Sequence, residues 1–240
     1  MRVGVRSDRV PISTCVVVPA FDAQETVGAV VDDLRARLPL PVIVVDDGSS
    51  DATAAVARDH GARVVRHERN RGKGAALVTG LRAAADEGFV QALSVDADGQ
   101  HPASSACDVL QGSADPRALV LGVRDLEGAG APGANRFGNG VSNAFLSLFA
   151  GRALHDTQCG LRRYPVAETL ALRARATGYA FEAEIVLRAQ AARLPIVEVP
   201  IAVLYPPGED LRTHFRRVRD PTRIVLTVVR TVLELRFLGQ

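Results

Sequence analysis

Short β-branched apolar runs alternate along this chain with alanine-rich stretches of helical spacing. The runs at 14–18 and 42–45 read as strands buried on both faces of a parallel sheet, and 63–66 as a third strand. Ser49, Ser50 and Asp51 offer an N-cap to a helix at 52–59. A helix at 73–87 closes on Gly88, and the run 89–95 is the next strand. A strand at 118–123 leads into a glycine-rich loop at 127–133. The second half is less regular, with helices expected at 135–150, 165–173 and 181–193 and a strand at 196–204. This order predicts an α/β fold, a mostly parallel central sheet with helices on both faces. Its ligand crevice should lie at the carboxyl ends of the strands. No internal repeat divides the chain. The expected layout is a tail at 1–13, one domain at 14–220 and an amphipathic helix at 221–240.

Composition adds limits. A chain of 240 residues can bury one large core without staples. A formal charge of +2 is too small to argue for nucleic acid. Cys15, Cys107 and Cys159 are odd in number and lack metal-type spacing, which points to a reducing compartment. The first 13 residues lack the apolar centre of a signal peptide, and the apolar stretch 224–237 is interrupted by Arg230, Glu234 and Arg236. A cytoplasmic protein is expected.

The chemistry concentrates at strand ends. The run 93–95 ends in Asp96-Ala97-Asp98-Gly99-Gln100-His101-Pro102, where Gly99 and Pro102 mark a turn on which both carboxylates can converge. Hard oxygen donors of this kind suit Mg²⁺ or Mn²⁺ bound together with substrate phosphates; a solvated turn is the plainer alternative. Asp46 and Asp47 form a second acidic strand end, fit either to meet a nucleoside or to complement the following helix dipole. Asn70-Arg71-Gly72-Lys73-Gly74 has the glycines, the helix start and the charge of a phosphate-approach loop, without the Walker spacing.

In this order, Val18-Pro19-Ala20-Phe21-Asp22, Val45-Asp46-Asp47-Gly48-Ser49-Ser50-Asp51, Asn70-Arg71-Gly72-Lys73-Gly74 and Asp96-Ala97-Asp98-Gly99-Gln100-His101-Pro102 resemble the family-two inverting glycosyltransferases of the GT-A fold. The nearest branch is the dolichol-phosphate mannosyltransferase and polyprenyl-phosphate glycosyltransferase group. Leu121-Gly122-Val123-Arg124, Asp156-Thr157-Gln158-Cys159-Gly160-Leu161-Arg162 and Gly178-Tyr179-Ala180-Phe181-Glu182-Ala183-Glu184 extend the resemblance. It implies that Asp96, Asp98 and Gln100 hold the divalent metal, and that Pro19, Phe21, Asp22, Asp47, Lys73, Asp96, Ala97 and Asp98 line the site of a UDP- or GDP-sugar donor. It further implies a catalytic group of Asp98, Asp156 and Arg162, with Arg124, Arg136 and Arg162 as basic positions near the sugar phosphate and acceptor phosphate. The chain departs from the family's Pro-Ala-Tyr-Asn-Glu at Phe21, Asp22 and Ala23, which leaves the nucleobase open.

A hydroxyl acceptor needs a base, whereas a lipid phosphate is already anionic near neutral pH. Asp156, Glu182 and Glu184 are the candidate bases, Asp156 being preferred; Glu182 and Glu184, two apart on a helix, cannot share a face, so at least one should be plain surface. Arg212, His214 and Arg216 lie in a basic run that leads into the amphipathic helix, and fit an acceptor phosphate or lipid headgroups. That helix can lie at the inner face of a membrane, or pack on the domain or on a second subunit. The expected activity is transfer of a sugar to a polyprenyl phosphate; a soluble or carrier-bound hydroxyl acceptor, or a non-catalytic nucleotide-sugar-binding module, are the alternatives.

Overall fold

Every residue of β1 (Thr14–Ala20) and β2 (Val42–Asp46) is buried, as uninterrupted apolar runs at the centre of a parallel sheet must be. The computed structural model describes residues 13–126, 128, 143–144, 146–149, 151–204 and 219–238. Between and after these strands run α1 (Val27–Arg37), α2 (Thr53–Asp59), β3 (Arg63–Arg66), α3 (Lys73–Asp86), β4 (Gln91–Ser94), α4 (Ala103–Gln111) and β5 (Leu119–Arg124). Then come β6 (Arg162–Pro165), α5 (Val166–Ala171), α6 (Ala180–Ala191), β7 (Ile196–Ile201) and α7 (Arg219–Leu238).

The seven strands form one sheet in the order β3-β2-β1-β4-β6-β5-β7. All pairs are parallel except those of β6, which runs antiparallel to both β4 and β5. Alternation along the strands divides the core. Val17, Ile43 and Val45 join Leu77 and Leu81 of α3, Phe181 and Ile185 of α6, and Ile224 and Val228 of α7. Val16, Val18 and Val44 join Val27, Val31 and Leu34 of α1 and Ala106 and Val109 of α4. A Cβ on Gly80 of α3 would sit 2.3 Å from Val17 Cγ1, so glycine is what lets this helix lie so close to the sheet. The chain leaves β1 for β2 on one side and returns to β4 on the other. That reversal opens a crevice at the carboxyl ends of β1, β2 and β4.

The mostly parallel sheet matches expectation, but β6 does not. Residues 165–173 read as one helix, whereas the helix starts at Val166 and the preceding Arg162–Pro165 is a strand. Its two arginines hide its buried character. Helices α1 and α4 were not anticipated, and α7 begins at Arg219, ahead of Pro221. The helix expected at 135–150 is seen at 143–144 and 146–149, and the rest of it lies outside the described residues. No described helix is long and apolar enough to cross a membrane.

Candidate active site

Two elements ending or starting at the crevice bring the central charges together. The chain beyond β4 delivers Asp96, and the first residue of α3 is Lys73. The Lys73 Nζ lies 2.7 Å from Asp96 Oδ1 and 2.8 Å from Glu182 Oε1, a buried carboxylate in the first turn of α6. The other Glu182 oxygen, Oε2, has no hydrogen-bond partner among the described residues. Burial works against the Lys73 charge, but Asp96 and then Glu182 outweigh it and hold the ammonium well above the ordinary lysine range. Burial also favours neutral Asp96, yet the Lys73 charge keeps its carboxyl below the usual value. For Glu182 burial wins over Lys73 and Arg162, and its carboxyl is raised. Two carboxylates flank one ammonium, which keeps Lys73 charged.

Past Asp96 the chain turns at Gly99, whose φ of +74° lies in the left-handed region that favours glycine, and the Gln100 amide donates to Asp98 Oδ1 at 3.0 Å. Asp98 is open by surface area yet stands in a recess crowded by protein. Withheld solvation and the adjacent Asp96 charge push its carboxyl up to about 6. His101 is buried, its Nδ1 has no hydrogen-bond partner among the described residues, and burial pushes its pKa down to about 4, leaving a neutral imidazole beside Asp96.

The segment 156–162 closes this cluster from the side. A Cβ on Gly160 would sit 2.3 Å and 2.5 Å from the Asp96 oxygens and 2.6 Å from Lys73 Nζ, so only glycine lets the backbone come this near. Arg162, expected to be catalytic, is fully buried and donates to the carbonyls of Cys159, Thr157 and Glu182 at 2.8, 2.9 and 2.9 Å. Its guanidinium braces the segment rather than reaching into the crevice. Asp156, the preferred base, is also fully buried. Its carboxylate accepts from Arg124 Nε at 2.6 Å and Nη2 at 3.0 Å, and from the Arg124 and Gln158 amides. It is placed to aim Arg124, not to take a proton. Nor is either glutamate of α6 plain surface, because Glu184 is buried too, accepting from Arg188 Nε and the amides of Arg175 and Ala176.

On the nucleoside side, Pro19 is buried in β1 and Phe21 is half-buried just beyond it. Asp22 takes a φ of +46° and accepts from the amide and hydroxyl of Ser50, tying this end of β1 to the turn after β2. Ala97 is buried and its carbonyl accepts from Thr26 Oγ1. Asp47, expected to meet the nucleoside, is 2% exposed and faces protein donors. His67 Nδ1 at 2.6 Å and the Arg71 amide at 2.9 Å share its Oδ1, while the Gly72 amide donates to Oδ2 at 2.7 Å. It therefore shapes the loop that presents Lys73. Arg136, Arg212, His214 and Arg216 lie outside the described residues.

Glu182 as a partner of Lys73, His101 and Gly160 were not singled out for these roles by the sequence. The last two stand within recognised motifs, but only the fold puts residues 96 and 160 side by side. Among the described residues no three His, Cys, Asp or Glu side chains are grouped to hold a metal ion by themselves. Two adjacent acidic oxygen donors that leave the remaining positions to donor phosphates still fit a Mg²⁺ or Mn²⁺ site.

The family model for glycosyl transferase family 2 matches residues 15–164, from β1 into β6. The chain belongs to this family. This family 2 glycosyltransferase is 29% identical to the UDP-N-acetylglucosamine–dolichyl-phosphate N-acetylglucosaminyltransferase of Methanococcus voltae, over 79% of the chain and 84% of that protein. It is 28% identical to the polyprenol monophosphomannose synthase of Mycolicibacterium smegmatis, over 78% of the chain and 76% of that protein. Among solved structures, the glucosyl-3-phosphoglycerate synthase of Mycobacterium tuberculosis, crystallised with Mn²⁺, UDP-glucose and phosphoglyceric acid, has the same fold. It superposes with a TM-score of 0.73 at 20% identity, over 92% of the chain and 79% of that protein.

Proposed function

We propose that this glycosyltransferase moves a sugar, with inversion, from a UDP- or GDP-linked donor to a polyprenyl phosphate, at the inner face of the membrane and with the help of a divalent cation. The observation that carries the reading is Lys73 held between Asp96 and Glu182, with Asp98 on the turn beyond, at the carboxyl ends of β1 and β4. Asp96, Asp98 and Gln100 would hold Mg²⁺ or Mn²⁺, which supplies charge stabilisation for the departing diphosphate. Lys73, at the start of α3, adds a fixed positive charge where the helix already favours an anion. A phosphate acceptor needs aim rather than deprotonation. The engagement of Asp156 by Arg124 supports that reading, since it fixes a cation instead of presenting a base.

The names of the polyprenol and dolichyl-phosphate relatives support the lipid class. So does α7, which exposes Val225, Leu226, Val229 and Leu233 on one face, with Arg223 and Arg230 also exposed, as a helix lying on an anionic membrane would. A phosphate-bearing soluble acceptor is the second reading, favoured by the phosphoglycerate bound in the synthase of the same fold. The test is a screen of UDP- and GDP-sugars with Mn²⁺ or Mg²⁺, followed by the best donor with undecaprenyl phosphate and with 3-phosphoglycerate. Cation-dependent transfer to the lipid is expected. Transfer to 3-phosphoglycerate alone selects the second reading, and full activity in excess chelator refutes the cation.

A further inference from the structure

A cavity of about 330 Å³ lies between α3, α5 and α6, lined by none of the residues that hold Asp96, Asp98 or Lys73. Val78, Leu81, Leu170 and Phe181 supply its apolar lining, and Thr169 with three exposed arginines, Arg82, Arg173 and Arg175, its polar lining. No carboxylate lines it. Arg175 shares Glu234 of α7 at 3.3 Å, but among the described residues the guanidiniums of Arg82 and Arg173 make no hydrogen bond or ion pair. Arg173 also takes a φ of +52°, a conformation that a non-glycine residue adopts only at a cost of about 1 kcal/mol. An apolar lining beside three exposed arginines, two of them without a carboxylate partner among the described residues, forms the complement of an amphiphilic anion. Arginine forks match phosphate oxygens in particular. The volume is at the small end of ligand pockets, enough for a compact apolar group and too small for a whole nucleotide sugar.

We infer that this cavity is a second binding site, separate from the donor crevice, for a phosphate monoester of a compact apolar group. The apolar group would rest on Val78, Leu81, Leu170 and Phe181, and the phosphate on Arg82, Arg173 and Arg175. Phe181 also packs at the start of α3, where a Cβ on Gly74 would sit 2.5 Å from its Cβ, so an occupant touches the element that carries Lys73.

The test is calorimetric titration of the full chain with phenyl phosphate, in the absence of divalent cations, beside inorganic phosphate and phenol as the two halves of the probe. Saturable binding of one phenyl phosphate per chain is expected, about tenfold or more tighter than either half, and undiminished when excess UDP and Mn²⁺ are then added together. R82Q/R173Q should weaken it about tenfold or more while leaving UDP binding in Mn²⁺ unchanged. Should the double variant melt early, R82Q and R173Q singly must each show part of the loss. Absence of saturation, displacement by UDP, or indifference to both arginine changes overturns the site. Competition with vesicles containing phosphatidic acid then identifies the source. Displacement assigns a membrane lipid, and binding that vesicles leave untouched assigns a soluble phosphomonoester; either result sustains the site.

Discussion

Replacing Gly160 with alanine separates the chemistry of the site from the stability of the fold. The added Cβ would start 2.3 Å from Asp96 Oδ2 and must reach the 3.4 Å of ordinary contact, so the carboxylate or the backbone has to retreat by about 1 Å. The atoms in the way are the tips of Asp96 and Lys73, which move cheaply, and the Tm should fall by no more than about 2–4 °C. Geometry is what suffers, and an error of about 1 Å in a positioned group costs on the order of 100-fold in rate. The assay is Mn²⁺-dependent turnover of the best donor, with UDP affinity and thermal unfolding measured on the same preparation. Gly178→Ala, whose Cβ would meet nothing within 4 Å, is the control and should behave as the wild type. Wild-type turnover in Gly160→Ala, or a loss that merely follows a collapse in Tm, would refute the reasoning.

Asp98→Asn should remove most cation-dependent donor binding, read by titration with and without Mn²⁺. Because the Asp98 carboxyl is pushed up to about 6, metal-supported donor affinity in the wild type should fall as pH drops below that value. In metal-free protein the sign reverses: a raised carboxyl pKa means stability is highest below the ordinary carboxyl range and declines as pH rises through about 6, so Asp98→Asn should raise the Tm at pH 8 but not at pH 4. Arg162→Ala strands three buried carbonyls and should cost about 3 kcal/mol or more in urea unfolding, a deficit that a purely catalytic residue would not produce. Asp47→Ala should likewise destabilise, by about 2 kcal/mol or more, since three donors lose their acceptor; unchanged stability with lost UDP affinity would restore its nucleoside role. Leu226→Gln with Leu233→Gln should reduce co-sedimentation with anionic vesicles at constant Tm, and dissociation of a dimer instead would assign the face to a second subunit.

The residues that form β1 and β2 announce themselves because continuous apolar runs at a sheet centre have few other uses, and the run 89–95 that holds β4 is broken only by Gln91 and Ser94. The acidic turns were legible for the same reason, standing where such runs stop. Arg162 and Arg163 concealed β6, since a strand of buried arginines is paid for in part by distant carbonyls, of Glu182 for Arg162 and of Leu110 and Ser113 for Arg163, that no local pattern reveals. Asp47 and Asp156 carry charges in recognised motifs, but whether a carboxylate faces a ligand or its own backbone depends on residues 24 and 32 positions away. Periodicity alone assigned one of Glu182 and Glu184 to the surface. It failed because Lys73 of α3 meets Glu182, while Arg188 of α6 itself and the amides of Arg175 and Ala176 cover Glu184.

The antiparallel strand β6 has a consequence for how the chain is made. Until Arg162–Pro165 has left the ribosome, β4 has no neighbour on that side and β5 lacks its link to the rest of the sheet. At roughly 5–20 residues per second, β4 waits several seconds as a bare edge able to pair with other nascent chains. A truncation ahead of residue 162 would therefore yield a sticky fragment rather than a smaller enzyme, and the slow, long-range closure by β6 is the step at which a chaperone would matter most.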